Sequence, residues 1–234
     1  MDLLGRCILE NTPMNTILIL VIAIIEILCL IELVTLKKEW HYGFISANLF
    51  LVTLLGAKII SFSSFITNAG NIFYVSAVIG MLLLIEAHGK RSAFESILAA
   101  VLNVGLSIIM IGLVIGMRGP GSDRVFDQAL YTLFSPMPRI AFASLSSFVF
   151  TQSIAIYFFH WLKEKKTAFF SRLILAVLLS QMLDSLIFFS VAFSGKITSD
   201  ALIISVLLGL CLKVGFAIIA SPFIIVRMNA VAKI

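Results

Sequence analysis

The chain has 234 residues, of which 61% are hydrophobic and 12% are charged. Soluble domains carry about twice that charged fraction, so the composition excludes a soluble globular protein and indicates a polytopic membrane protein. The net charge of +5 does not indicate nucleic-acid binding, because the basic residues are scattered over the short segments between apolar runs, as membrane topology requires. We therefore expect a lipid bilayer around the protein and no nucleic-acid partner.

Seven apolar runs follow one another along the chain, and each is of a length that suits a membrane-spanning helix. Their approximate bounds are 14–36, 43–62, 71–87, 94–117, 139–162, 169–193 and 201–226. A membrane β-barrel would instead show short segments of alternating hydrophobicity. The pattern predicts an all-α transmembrane helical bundle that forms a single domain over residues 1–234.

The basic residues predict the orientation of this bundle. If the N-terminus lies outside, the inner segments hold the larger share of Lys and Arg, which the positive-inside rule favours. The inner residues are Lys37, Lys38, Lys90, Arg91, Lys163, Lys165, Lys166, Arg172, Arg227 and Lys233, and the outer ones are Arg6, Arg118, Arg124, Arg139 and Lys196. We expect a multi-pass protein of the cytoplasmic (inner) cell membrane with its N-terminus outside and its C-terminus inside.

Two charged residues near the centres of consecutive runs organise the interpretation. Asp184 lies near the middle of the sixth run, with Gln181 one turn earlier, and Lys213 lies in the middle of the seventh. Charged side chains at such depth are costly unless they face the bundle interior or a wet cavity. Because consecutive spans are antiparallel, we expect Asp184 and Lys213 at similar depth, either as a functional site or as a structural ion pair.

Other polar residues inside the runs have two interpretations each. Gln152 is either part of a site or a hydrogen-bonding contact between helices. Lys58 and Glu86 lie closer to span ends, where long side chains can reach the membrane surface. Glu26 and Glu32 of the first run meet either water or a neighbouring helix.

Recognisable catalytic and metal-binding motifs are not evident in the sequence. The chain has no HExxH motif or Ser/His/Asp set, and its three histidines lie far apart in the sequence, without the repeated His or Cys spacing of a metal site. We therefore expect no metal, no cofactor and no enzymatic activity, and keep a membrane-embedded enzyme only as a minor alternative.

Several short motifs are distributed along the chain from about Gly43 to the C-terminus. A Lys closes an early span in Ala57-Lys58-Ile59, a later helix ends in Glu86-Ala87-His88-Gly89-Lys90, and Arg139 opens a span that contains Gln152. The most specific element is Ser180-Gln181-Met182-Leu183-Asp184-Ser185, followed by Phe188, and the last run has Lys213 and then Pro222. Together these motifs resemble the queuosine precursor transporter family, also called the vitamin uptake transporter (VUT) family.

The resemblance implies a fold and a function. The fold would be a six-helix core with 14–36 as an additional N-terminal span. The function would be the uptake of a small heterocyclic nutrient, either a 7-deazaguanine precursor of queuosine or a related purine or vitamin. The implied substrate-binding residues are Asp184, Gln181, Gln152, Lys213, Arg139, Glu86, Lys58 and Phe188. An alternative is the substrate-binding membrane subunit of a multicomponent vitamin importer; homo-oligomerisation is left open.

The chain also departs from the family pattern. Val75 and Leu82 occupy positions that usually hold Pro and Asp, His88 replaces a Tyr, and Ala155 replaces an Asp. These departures bear on the substrate and on energy coupling. In the mechanism that the resemblance implies, Lys213 neutralises Asp184 until substrate competes for the carboxylate, and Asp184→Asn removes binding while the protein still folds.

Overall fold

The computed structural model describes residues 12–56, 58–62, 65–117, 124–135, 137–192 and 199–231. Its elements are α1 (Thr12–Leu33), α2 (Lys38–Leu55), β1 (Ile59–Phe62), β2 (Phe65–Asn68), α3 (Asn71–Gly116), α4 (Arg124–Phe134), α5 (Met137–Glu164), α6 (Phe169–Ala192) and α7 (Ser199–Val231). Within the described residues, helical stretches long and apolar enough to cross a membrane are Pro13–Leu33, Asn71–Ile115, Val125–Glu164, Phe169–Ile187 and Leu207–Val231. The predicted all-α, multi-pass bundle is confirmed; the single-domain assignment stays a prediction.

One short antiparallel hairpin interrupts the helices. The sequence predicted a continuous span through Phe62, but α2 ends at Leu55 and the last residues of that run form β1, which pairs with β2 in the register Ile59 to Asn68. The Asn68 side chain donates to the Gly56 carbonyl and accepts from the Gly70 backbone N–H. Asn68 thereby ties the end of α2 to the beginning of α3.

Helix α3 is the central element of the bundle. Every residue from Phe73 to Ile85 is buried, because α2, α5, α6, α7 and α1 all pack against this helix. The helix is broken at Gly89, whose φ of 83° and ψ of 172° are not helical. The break separates the segments 71–88 and 90–116, which correspond to the predicted third and fourth spans.

The conformation of Gly89 gives the first testable prediction. This region of φ and ψ is essentially restricted to glycine, and a side chain there costs about 1–3 kcal/mol. Gly89→Ala should lower the free energy of unfolding by about that amount, measured by denaturation in detergent. Gly105→Ala is the matched control, because Gly105 lies in the same helix and a Cβ added there would meet no neighbouring side chain within 4 Å. This control should be neutral or slightly stabilising, and equal effects of the two substitutions would contradict the role of Gly89.

Helix α1 lies at the periphery, against α3 and α7. Its buried side chains are Glu26, Leu30 and Leu33, which follow the i, i+4, i+7 spacing of a single helix face. Most of the remaining surface of α1 is apolar and exposed, for example at Ile17 and Leu28. A peripheral, lipid-facing position of the first span follows from this pattern.

Candidate functional site

Four helices bring polar side chains together around Asp184. On Asp184, Oδ1 accepts hydrogen bonds from Tyr74 Oη at 2.7 Å and from Ser147 Oγ at 2.6 Å. Lys213 Nζ lies 3.3 Å from Oδ2 and 4.6 Å from the centroid of the Tyr74 ring. All four residues are buried, and we refer to them as the Asp184 cluster. The expected proximity of Asp184 and Lys213 is confirmed.

Each member of the Asp184 cluster is held by a different helix. Tyr74 belongs to the first turn of α3, just after the hairpin, and its ring packs edge-on against Phe148 with centroids 6.2 Å apart. Ser147, Asp184 and Lys213 lie in the interiors of α5, α6 and α7. A movement of any one of these helices therefore changes the surroundings of the carboxylate.

The charges of the Asp184 cluster are compensated, but the carboxylate can still accept a further hydrogen bond. A buried charge is tolerated when it is paired and hydrogen-bonded, and here an ammonium group, two hydroxyls and an aromatic face compensate the two charges. An ionised carboxylate offers about four lone-pair sites, whereas three donors occupy the carboxylate of Asp184. The carboxylate can accept a further donor, or exchange Lys213 for another group.

Two glutamines extend this polar region along α5 and α6. Gln152 Nε2 donates to Ser180 Oγ at 2.8 Å, and the Gln152 side chain also lies beside the Tyr74 hydroxyl. Gln181 is fully buried one turn before Asp184. Within the described part of the chain, Gln152 Oε1, Gln181 Oε1 and Gln181 Nε2 have no hydrogen-bond partner. A buried polar atom without a partner costs about 1–3 kcal/mol, so these amide atoms are suited to a polar ligand.

Glu86 lies at the other end of the same helices. Its carboxylate pairs with Arg172 at 3.0 Å and with Lys163 at 3.3 Å. Glu86 follows Tyr74 by twelve residues of α3, and Arg172 precedes Asp184 by twelve residues of α6, so each helix separates the two regions by about 18 Å. The structure does not bring Glu86 to the Asp184 cluster, and its part in substrate binding stays a prediction.

Two of the remaining predicted site residues, Lys58 and Arg139, are also not brought to Asp184, and the third, Phe188, cannot be placed. Lys58 is exposed in the connection between α2 and β1, and Arg139 is exposed in the first turn of α5, about 12 Å of helix before Ser147. Phe188 belongs to α6, but its side chain lies outside the described residues. Their roles in binding stay predictions.

Sequence reasoning missed Tyr74 and Ser147. Both are ordinary residues of apolar runs by type and spacing, and neither carries a charge that draws notice at membrane depth. A usable signal for Ser147 was its place in the small-residue stretch that follows Arg139. For Tyr74, the neighbouring sequence gives no sign that its hydroxyl donates to Asp184; the residue looks like any tyrosine of a helical core.

The two positions at which the resemblance implies acids are both apolar and buried in this chain. Leu82 and Ala155 are fully buried. Each follows a member of the Asp184 cluster by eight residues on its own helix, Tyr74 on α3 and Ser147 on α5, and so lies about 12 Å deeper. Both helices run in the same direction past α6, so the two substitutions fall in the same layer of the bundle.

Comparison with known proteins agrees with this architecture. Residues 68–227 match the family described as "Putative vitamin uptake transporter". The chain is also 26% identical over 160 residues to a "Probable queuosine precursor transporter" of Bacillus subtilis (strain 168), which covers 66% of this chain and 68% of that protein. No solved structure matches the chain. The matched region contains the whole Asp184 cluster but not α1 or α2.

Proposed function

The chain belongs to the vitamin uptake transporter family and is a multi-pass membrane transporter; on that premise we propose that its substrate is a 7-deazaguanine precursor of queuosine or a related purine or vitamin. The relative in Bacillus subtilis, whose name specifies a queuosine precursor transporter, supports this substrate class. The observation that carries the proposal is the Asp184 cluster together with three amide atoms of Gln152 and Gln181 that have no hydrogen-bond partner among the described residues.

The chemistry of these groups suits the edge of a guanine-like ring. A carboxylate can accept hydrogen bonds from both a ring N–H and an exocyclic amine, and such charge-assisted bonds are the strong ones. An amide side chain offers a donor and an acceptor side by side, which matches the lactam edge of the same ring. We assign the first edge to Asp184 and the second to Gln181 and Gln152. The Tyr74 ring, already in the cluster, is suited to stack on the heterocycle, and Phe188 is a second candidate.

We propose that substrate binding changes the conformation of the bundle by displacing Lys213 from Asp184. Without ligand, Lys213 neutralises Asp184 at 3.3 Å. A ligand that donates to the carboxylate competes with Lys213, and the ammonium group then needs another partner. Because Lys213 and Asp184 belong to α7 and α6, this exchange alters the contact between two helices. The competition gives binding a physical means of changing the conformation of the bundle.

Gln181→Leu separates ligand binding from stability. The glutamine amide has no partner among the described residues, so a leucine of similar size should leave the free energy of unfolding unchanged or raise it. Loss of one or two ligand hydrogen bonds, each worth about 0.5–1.5 kcal/mol, should weaken the affinity for 7-aminomethyl-7-deazaguanine by roughly threefold to a hundredfold. Calorimetry and denaturation in detergent measure the two quantities.

Gln152→Leu is the matched control for this variant. It removes the bond to Ser180, so it should weaken both affinity and stability. An unchanged affinity in Gln181→Leu, with a normally folded protein, would remove Gln181 from the proposed site.

Topology, assembly and chemistry complete the proposal. We place the N-terminus outside and the C-terminus inside, which accessibility labelling of tagged termini in intact cells tests directly. We also propose that the protein catalyses no reaction and binds no nucleic acid, because family and composition point to transport.

An uptake experiment tests the transport of this substrate. Cells that express the protein should accumulate labelled 7-aminomethyl-7-deazaguanine, and control cells should not. Copurification with an ATP-driven partner would instead favour a subunit of a multicomponent importer.

A further inference from the structure

A second polar group lies inside the membrane-spanning region, apart from the Asp184 cluster. Glu26 is 7% exposed in α1, and its carboxylate lies beside the side chains of Asn48 in α2 and Ser76 in α3. Three buried atoms of this group have no hydrogen-bond partner within the described residues: Glu26 Oε2, Asn48 Oδ1 and Ser76 Oγ. Three helices thus meet at a carboxylate group, and several of the polar atoms there lack a hydrogen bond among the described residues.

Charge compensation at Glu26 differs from that at Asp184. Cys29 lies three residues after Glu26 in the same helix, and Asn48 and Ser76, whose side chains lie beside the Glu26 carboxylate, are uncharged. In the elements packed against α1, Lys213 of α7 is paired with Asp184 and Arg227 with Glu32, while Tyr74 of α3 donates to Asp184 and β1 has no titratable residue. Among the described residues no cationic side chain pairs with Glu26, and an ionised carboxylate at membrane depth without such a partner is costly.

The neighbours of Glu26 can satisfy both of its protonation states. When the carboxyl group is protonated, its O–H can donate to Asn48 Oδ1 or Ser76 Oγ, both of which lack a partner among the described residues. When it is ionised, the Ser76 hydroxyl and the Asn48 amide can donate to it. A hard metal cation such as Ca²⁺ needs about six or more oxygen ligands, more than the three side chains supply. The group is therefore suited to a proton.

The two polar groups share one helix. Ser76 and Tyr74 are two residues apart in α3, and at 3.6 residues per turn their side chains point to nearly opposite sides of the helix. One side contributes to the Glu26 group and the other to the Asp184 cluster. The buried first segment of α3 therefore connects them, and a shift of this segment changes both.

We propose that Glu26, with Asn48 and Ser76, forms a proton-binding site that couples proton movement to substrate transport through α3. The coupling rests on the proposed transport function, but proton binding at Glu26 does not. The site lies on α1 and α2 as well as on α3, so two of its three members are outside the region that matches the family.

Infrared difference spectroscopy tests proton binding without any substrate. Purified protein is titrated with acid and alkali, and the carbonyl-stretch band of a protonated carboxylic acid is followed. The other carboxyl groups also contribute to this band, but one component of it should titrate in wild type, be missing in Glu26→Gln and persist in Glu32→Gln. Glu32 is the matched control, because it lies in the same helix but is exposed and paired with Arg227 at 3.6 Å. Identical spectra of wild type and Glu26→Gln would overturn the proposal.

A second variant covers the case in which Glu26→Gln does not fold. Ser76→Ala removes a hydroxyl whose hydrogen bond to the ionised carboxylate is stronger than its hydrogen bond to the neutral acid. It should therefore move the midpoint of the infrared titration by roughly one pH unit. An unmoved midpoint in folded Ser76→Ala protein would show that the titrating group is elsewhere.

Proteoliposomes test the coupling itself. An imposed pH gradient should stimulate uptake of 7-aminomethyl-7-deazaguanine at least about tenfold in wild type and in Glu32→Gln, whereas Glu26→Gln should bind ligand normally and lose the stimulation. Uptake that responds to a sodium gradient but not to pH would overturn proton coupling. Absence of ligand binding by wild type would count against the proposed substrate, while the infrared titration would still decide the proton site.

Discussion

Replacing Asp184 by asparagine should lower the free energy of unfolding by about 3–5 kcal/mol, because it leaves the buried Lys213 ammonium without its counter-ion. Asparagine can still accept from Tyr74 and Ser147, so the loss should come from the ion pair and not from the hydroxyl bonds. The sequence alone suggested that this variant would fold nearly normally. The structure changes that expectation, since Lys213 is only 6% exposed. Denaturation in detergent measures the effect.

The double variant Asp184→Asn/Lys213→Met is the control for this result. Replacing a whole buried ion pair by neutral groups of similar size is often close to neutral. The double variant should therefore regain most of the stability that Asp184→Asn loses. If the single and double variants are equally unstable, the ion pair is not the reason for the loss.

Replacing Glu86 by glutamine should cost stability and spare ligand affinity. Arg172 is buried, pairs with Glu86 at 3.0 Å and lies over the rings of Phe159 and Phe169. Without the carboxylate this guanidinium loses the counter-charge that it contacts, and we expect the free energy of unfolding to fall by about 3 kcal/mol. The affinity for 7-aminomethyl-7-deazaguanine should stay within about twofold, because Glu86 lies about 18 Å along the helix from the Asp184 cluster.

Lys163→Gln provides the comparison for Glu86. Lys163 pairs with the same carboxylate at 3.3 Å, but its side chain is 38% exposed. Exposed ion pairs contribute about 0–1 kcal/mol, so this variant should be much less destabilised than Glu86→Gln. A loss of affinity in Glu86→Gln without loss of stability would return Glu86 to the substrate site, as the family resemblance implied.

The charged residues at membrane depth were predictable because burial makes them expensive. Asp184 and Lys213 occupy the middles of consecutive apolar runs, and antiparallel packing of such runs brings them to the same depth. Their similar depth follows from hydropathy and connectivity, and the structure adds that the two side chains face each other at 3.3 Å. The same reasoning predicted the helical, multi-pass fold.

The neutral members of the site were not predictable in this way. Tyr74 and Ser147 are tolerated anywhere in a helical bundle, so only tertiary contact shows that both donate to Asp184. The two strands were missed for a related reason: Ile59 to Phe62 continue an apolar run, and apolar runs do not distinguish a strand from the end of a helix. The burial of Glu26 likewise depends on which face of α1 meets α3.

Binding of 7-cyano- and 7-aminomethyl-7-deazaguanine to purified protein tests the central proposal most directly. Wild type and the double variant Asp184→Asn/Lys213→Met, which we expect to fold, are compared by thermal shift and calorimetry. Binding by wild type and none by the folded double variant is the predicted result. Equal binding by both would place the substrate away from Asp184. Absence of binding to folded wild type would contradict the deazaguanine assignment while leaving the family and its transport fold in place.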